Sequence, residues 1–409
     1  MAKGLKKLFV AISFCILAAI FLPMTVMSRF PESPNRPYSG LAKDKQDPTP
    51  ITYTTYLPVV TSSNKAIKGD TTFNYGIQAD PWGNTNANIG HIEVLGFKWV
   101  KLDMPWKWVE PSPGDYFWDM WDSVIAAYNA HGIRVLLSIS DAPDWARPLG
   151  DDKSVEGLPE DPPKYAEFVA RVSDRYRDKV QALEIWNEQN LWYAVGGQGR
   201  IDVATYVQLL QLSYQAVKSA NSDMLVISGA MMPAGDVGDW AVDDIDYLSQ
   251  MYANGAKGYF DAVGANPQEY NCPALADWRT VEDPTALFRG PFENRHHSWC
   301  FRGTMEGYRN VMVANGDSNI KVVPTGFGWA VSDNPAPGYE YAIDNTYEEQ
   351  AQWIVEAFQW ARASGWVGPM FLWNLDYGIT AAGTELSYFS LLTPEGPVPA
   401  YSALANLPK

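Results

Sequence analysis

A single (β/α)8 barrel of the TIM type, with enlarged loops after its strands, is predicted by three observations. From Phe73 onward, short apolar and β-branched runs alternate with longer amphipathic ones, as in a parallel sheet wrapped by helices. Eight such runs fall within about 335 residues, the count and length of one barrel. No glycine-rich phosphate loop follows the first run, and Gly196-Gly197-Gln198-Gly199 does not complete a dinucleotide fingerprint, which disfavours a doubly wound sheet.

Residues 1–30 read as a targeting segment. Lys3, Lys6 and Lys7 precede an apolar stretch from Leu8 to Met27, broken only by Ser13 and Pro23, which fits a secretory signal or an uncleaved membrane anchor over 8–27. Cys15 lies inside it without the small-residue context of a lipoprotein box, and reads as a passive apolar residue. Residues 31–70 are rich in Pro, Ser, Thr and Lys and lack helical periodicity, so they read as a linker or stalk. Residues 71–409 form the barrel domain.

The strands predicted in order are Phe73–Gln78, Lys98–Asp103, Ile133–Ser140, Ala182–Asn187, Met224–Gly229, Phe260–Asn266, Ile320–Phe327 and Pro369–Asn374. Helical spacing marks Val203–Ala220, with Val203, Tyr206, Val207, Leu210, Tyr214 and Val217 three or four apart. Further helices read as about Asp119–Ala130, Pro163–Asp178, Arg302–Val313 and Tyr347–Ala363, the last stopping near Gly365. Polar and aromatic groups recur at the strand ends: Gln78, Asp80 and Trp82; Lys101, Asp103 and Trp106; Asp141, Asp144 and Trp145; Asn187, Glu188, Asn190 and Trp192; Asn266, Gln268, Glu269 and Tyr270; Trp373, Asn374 and Asp376. A lone carboxylate at a loop start is more often a helix cap or turn residue, but recurrence at nearly every strand end matches the functional face of a barrel.

Composition narrows the partners. The chain of 409 residues is 46% hydrophobic, enough for a sizeable core, and its formal charge is -16, from 31 basic and 47 acidic residues. Residues 1–30 hold four basic residues and no acidic ones, so the remainder stands at 27 minus 47, or -20, which disfavours nucleic acid as a partner. The 17 Trp suit stacking on the apolar faces of sugar rings, although core filling accounts for about half of them. Cys272 and Cys300 remain once the targeting segment is set aside, and a bridge between them would contribute about 3 to 4 kcal/mol. The alternative is two unpaired buried thiols. His296 and His297 lack a third spaced ligand, so no metal site is expected, and no motif calls for a cofactor. Neither a Gly-x-Ser-x-Gly elbow nor a His-Glu-x-x-His motif occurs.

Over about Phe73 to Leu407 the pattern resembles clan A glycoside hydrolases, and within them the family 39-like bacterial endoglycosidases. The carrying segments are Trp99-Val100-Lys101-Leu102-Asp103, Glu184-Ile185-Trp186-Asn187-Glu188, Asp261-Ala262-Val263-Gly264-Ala265-Asn266-Pro267, Thr325-Gly326-Phe327-Gly328-Trp329 and Phe371-Leu372-Trp373. The resemblance implies Glu188 as general acid/base, Asn187 on the sugar 2-hydroxyl and Trp373 beneath the ring at the cleavage point. Lys101, Asp103, Trp106, Trp145, Trp192, Asn266, Tyr270 and Trp329, at or just beyond the strand ends, are further candidates for contact with substrate. Two departures stand out. Asn266 replaces an expected His, and Gly326 stands where the family has its nucleophilic Glu.

The implied activity is therefore an extracytoplasmic retaining glycosidase acting on a β-linked poly- or oligosaccharide, strongly impaired as written. Three readings of Gly326 stay open: an engineered nucleophile-less variant, a natural sugar-binding protein on a retired enzyme barrel, or an enzyme recruiting Glu269 or Asp376 as its second carboxylate. A surface polysaccharide-binding protein is the non-enzymatic alternative.

Overall fold

The computed structural model describes residues 70–281 and 295–409. The expected targeting segment, 1–30 with Cys15, and the linker, 31–70, lie outside the described residues apart from Asp70.

Eight parallel strands form the barrel: β1 (Asn74–Gln78), β2 (Trp99–Pro105), β3 (Arg134–Ser140), β4 (Ala182–Asn187), β5 (Leu225–Ala230), β6 (Ala262–Ala265), β7 (Lys321–Pro324) and β8 (Pro369–Leu372). The sheet runs β8-β1-β2-β3-β4-β5-β6-β7. Between β7 and β8 the Gly368 amide donates to the Val322 carbonyl at 2.8 Å and the Trp373 amide to Phe327 at 2.9 Å, so the ring nearly closes. A helix follows each strand: α1 (Thr85–Leu95), α2 (Asp119–Ala130), α3 (Pro162–Arg175), α4 (Val203–Ala220), α5 (Asp244–Ala253), α6 (Phe301–Ala314), α7 (Tyr347–Ser364) and α8 (Pro399–Asn406). No helix among the described residues is long and apolar enough to cross a membrane.

The helix ends follow from local chemistry. Asp202 accepts from the amides of Ala204 and Thr205 to start α4, and the face carrying Tyr206, Val207, Leu210 and Val217 is buried. Thr346 and Glu349 form a reciprocal capping box at α7, and Gly365 closes it in the left-handed region, φ 73°.

Inside the barrel, Trp99, Leu136, Ala182, Ile227, Ala262, Val323 and Phe371 make one layer, a side chain from each of seven strands. The eighth strand contributes Gly76. A Cβ there would lie 2.6 Å from the Phe371 ring, so only glycine admits that ring. Nearer the strand C-termini the filling turns polar, with Lys101, Ser138, Glu184 and Thr325 all buried.

Connections at the two ends differ. Helix-to-strand links are short, such as 96–98 and 131–133, whereas 141–161, 188–202, 325–346 and 373–398 follow strand C-termini. The enlarged loops thus gather at one face, where barrels place their sites. The β6, β7 and β8 ladders are shorter than the predicted Phe260–Asn266, Ile320–Phe327 and Pro369–Asn374, because the last residues of those runs leave the ladder to line the mouth. Helices α1, α5 and α8 were not singled out by the sequence. In α1 the buried apolar face is only Ile89, Ile92 and Leu95.

Candidate active site

The site begins at the end of β4. A regular strand would send Asn187 and Glu188 to opposite faces. Here Trp186 and Glu188 both adopt left-handed backbone, φ 73° and 54°, which costs on the order of 1–3 kcal/mol each and persists only where surroundings enforce it. They do. The Trp186 indole donates to the Ala194 carbonyl at 2.9 Å, Gln189 donates to the Gly229 carbonyl at 2.8 Å, and Asn190 donates to the carbonyls of Met232 and Val242. The kink turns Asn187 and Glu188 toward one partner, the Asn266 amide, whose Nδ2 lies 2.9 Å from Asn187 Oδ1 and 3.0 Å from Glu188 Oε1.

Glu188 is 5% exposed. Its Oε2 accepts from the Tyr193 hydroxyl at 2.6 Å. Burial lifts the carboxyl above its ordinary range; the Tyr193 and Asn266 hydrogen bonds and the Lys101 ammonium oppose this, and Asp103 adds to it. A carboxyl so placed retains its proton to higher pH, as a general acid requires. Tyr193 stays protonated, since burial and the Glu188 charge push its phenol up.

Beneath lies a charged floor. Lys101 Nζ is 3.3 Å from Glu184 Oε2 and 3.8 Å from Asp103 Oδ1. Burial pulls the ammonium down, but Glu184, Asp103 and Glu188 outweigh it and hold it above its ordinary value. Asp103 also accepts from Gln78 Nε2 at 2.6 Å. Thr325 links floor to mouth, its hydroxyl 2.7 Å from Glu184 Oε1 and 2.8 Å from Asn266 Oδ1.

Gly326 comes next in the chain. Its φ lies outside the left-handed region, so its backbone suits any residue. A Cβ there would stand 3.2 Å from Asn266 Oδ1 and 3.8 Å from Gln268 Nε2, aimed at the amide that holds Glu188. The other carboxylates considered as replacements are placed differently. Asp376 accepts from the Asp80 amide at 2.9 Å and from Asn88 at 2.7 Å, which ties the loop after β8 to the β1–α1 connection; burial pushes its carboxyl up to about 6. The side chain of Glu269 is not among those described.

One carboxylate with no signal in the sequence joins the cleft. Glu156, in the loop after β3, is held well above the usual carboxylate range by burial, with Asp141, Glu188 and Asp103 adding to the shift and Lys107 opposing it.

The aromatic candidates divide. Trp145 and Trp192 are partly exposed; Trp145 donates to the Glu110 carbonyl at 3.1 Å, and Trp192 meets Trp240 edge to face at 5.0 Å. Tyr270 sits against Tyr341 at 4.7 Å, and Trp373 rests on Phe389 at 4.8 Å. Trp106 and Trp329 offer no face to a ligand. The first stacks on Phe168 and donates to Glu110, and the second donates to the Cys272 carbonyl between Phe301 and Trp353. Trp82, half exposed at 51% and edge to face with Trp108 at 5.5 Å, is a more accessible pair at the β1–β2 side of the mouth. Cys272 and Cys300 form a disulfide across a separation of 28 residues.

Neither a protein-family model nor a curated protein matches the chain. Solved structures do match in fold. A family 39 glycoside hydrolase from the gut symbiont Bacteroides cellulosilyticus WH2 aligns with TM-score 0.59 and 20% identity over 82% of this chain and 63% of that one, so the chain spans less than two thirds of its length. Xylanase 10B from Thermotoga petrophila RKU-1, solved with xylobiose, aligns with TM-score 0.52 and 13% identity over 82% and 93%. Native xylanase 10B from Thermotoga maritima gives 0.54 and 14% over 82% and 94%. The barrel is one that these glycosidases share.

Proposed function

On a barrel shared with family 39 glycoside hydrolases and xylanases, we propose that this protein is an exported carbohydrate-active chain whose mouth binds a β-linked glycan and whose acid/base machinery is retained without its nucleophile. The observation that carries this reading is convergence: Asn187, Glu188 and the Cβ direction of Gly326 all meet at Asn266. Retaining hydrolysis uses two carboxyls about 5 to 5.5 Å apart, one attacking the anomeric carbon and one protonating the leaving oxygen. Glu188 supplies the second role, and its raised pKa suits it. In this reading Asn187 meets the sugar 2-hydroxyl, Lys101 and Asp103 lie toward the ring's polar edge, Trp145, Trp192 and Tyr270 offer partly exposed aromatic surface, and Trp373, 7% exposed, presents only an edge beneath the ring. The first role has no side chain, which removes roughly 10⁵ to 10⁶ in rate.

A polysaccharide-binding protein on the same barrel is favoured by that gap alone. It is disfavoured by the cost of keeping Glu188 buried and two residues in left-handed backbone, since binding needs no proton donor.

The test uses the chain as it stands. A glycan array identifies a ligand, and an activated aryl β-glycoside of that sugar is then incubated with azide or formate. Azide attacks the anomeric carbon from the side left open at Gly326, the phenolate departs, and the product is a glycosyl azide of inverted configuration. An α-glycosyl fluoride is likewise transferred to an acceptor, Glu188 taking the acceptor's proton. Sugar binding with neither rescue nor transfer would establish the binding-protein reading instead.

A further inference from the structure

His296 and His297 lack a third spaced ligand in the sequence, and the tertiary structure supplies one from 53 residues upstream. Asp243, the cap of α5, spends its Oδ1 on the amides of Ile245 at 2.9 Å and Asp246 at 3.1 Å. That fixes the carboxylate so that Oδ2 faces both imidazoles, 3.3 Å from His296 Nε2 and 3.7 Å from His297 Nε2. The three ligand atoms lie within 4.8 Å of one another. Asp244 is adjacent, fully buried, with Oδ1 2.9 Å from His297 Nε2. In a tetrahedron with bonds of about 2.1 Å the ligand atoms stand about 3.4 Å apart, so two edges are close to formed before any ion arrives.

From this geometry we propose a binding site for a zinc-like divalent cation, held by Asp243 Oδ2, His296 Nε2 and His297 Nε2, with the fourth position taken by Asp244 Oδ1 or water. Two imidazoles with carboxylate oxygens suit Zn²⁺, whereas calcium and magnesium prefer oxygen alone. The rings are partly exposed, 27% for His296 and 11% for His297, which leaves an entry path. His297 donates through Nε2 to Asp244, so binding releases that proton to solvent. His296 Nδ1 lies 2.8 Å from the Ser298 hydroxyl and 3.3 Å from its amide. In the neutral ring Nδ1 accepts from that amide, so the proton sits on Nε2 toward Asp243 and, as at His297, leaves to solvent when the ion binds. The site would clamp the disulfide-closed loop that ends at Cys300 to the start of α5, joining the connections after β5 and β6.

The full chain, disulfide intact and stripped with a chelator, is titrated with Zn²⁺ by calorimetry and with Co²⁺ by visible absorption, without any sugar, so the outcome is independent of the glycosidase reading. One ion per chain, the intense d–d bands of tetrahedral cobalt and a Tm rise of about 5 °C at a hundredfold excess over Kd are expected. His296→Ala and Asp243→Asn, the latter keeping an N-cap acceptor, should each weaken binding about 100-fold or more with far-UV circular dichroism unchanged. Absence of stoichiometric uptake in the parent protein, or uptake that survives both substitutions, overturns the proposal and leaves a hydrogen-bonded His–Asp cluster.

Discussion

Restoring a carboxylate at position 326 is the sharpest test of the site. Gly326→Glu meets no backbone penalty, because the φ there is ordinary. Its Cβ contact of 3.2 Å with Asn266 Oδ1 is tight, so Asn266 must give by a few tenths of an ångström. That is small beside the gain: supplying the attacking group should raise kcat/KM on an activated β-glycoside by about 10⁵, or about 7 kcal/mol of barrier. The charge also acts on Glu188. Two carboxyls about 5 Å apart in an effective dielectric of about 20 repel by about 3 kcal/mol, which lifts the Glu188 pKa by about 2 units beyond the rise that burial already causes. The alkaline limb of the pH–rate profile should accordingly lie about 2 units above that of the azide-rescued parent. Thermal melting checks folding, and a broad panel of aryl β-glycosides gives the rates. A folded variant inactive across the panel refutes the nucleophile assignment. Restored activity without the shift in the alkaline limb refutes the proximity of position 326 to Glu188.

Three further outcomes follow from the same contacts. In the Gly326→Glu background, Glu188→Gln should slow substrates with poor leaving groups far more than activated aryl glycosides, and equal losses on both would exclude an acid role. Asp376 rises from 3.8 to about 6 and is 3% exposed, so its ionised form costs about 3 kcal/mol. Because a raised carboxyl is favoured protonated, that penalty is absent below about pH 4 and complete above about pH 6. Asp376→Asn should therefore flatten the fall in stability between those values, and an unchanged urea-midpoint profile against pH would contradict this. Replacing Cys272 and Cys300 by Ser opens a loop of 28 residues and should lower stability by about 3 to 4 kcal/mol, and mass spectrometry of the purified parent protein under non-reducing conditions should find both thiols oxidised.

The regular elements were legible because their causes are local. Ala182–Asn187, Asp119–Ala130 and Val203–Ala220 span the same residues in sequence and structure, since a strand covered on both faces reads as a continuous apolar run and a helix as period-3.6 burial, both written into neighbouring side chains. Eight such alternations left one barrel as the compact arrangement, and the Asn-Glu pair at the end of the fourth strand marked the mouth. What lies around that pair was decided by the tertiary structure. Tyr193, Glu156 and Thr325 reach the cleft from three different loops, and no spacing in the chain announces them. The same holds for Asp243, brought to His296 by the packing of consecutive βα units. Tryptophan shows the limit most clearly: Trp106, Trp373 and Trp145 read alike as strand-end indoles, yet Trp106 and Trp373 are buried against Phe168 and Phe389 while Trp145 stays partly exposed. Past the last ladder hydrogen bond a side chain's direction is set by long-range partners, as when Gln189 and Asn190 hold Trp186 and Glu188 in left-handed backbone, and those partners exist only once the barrel has closed.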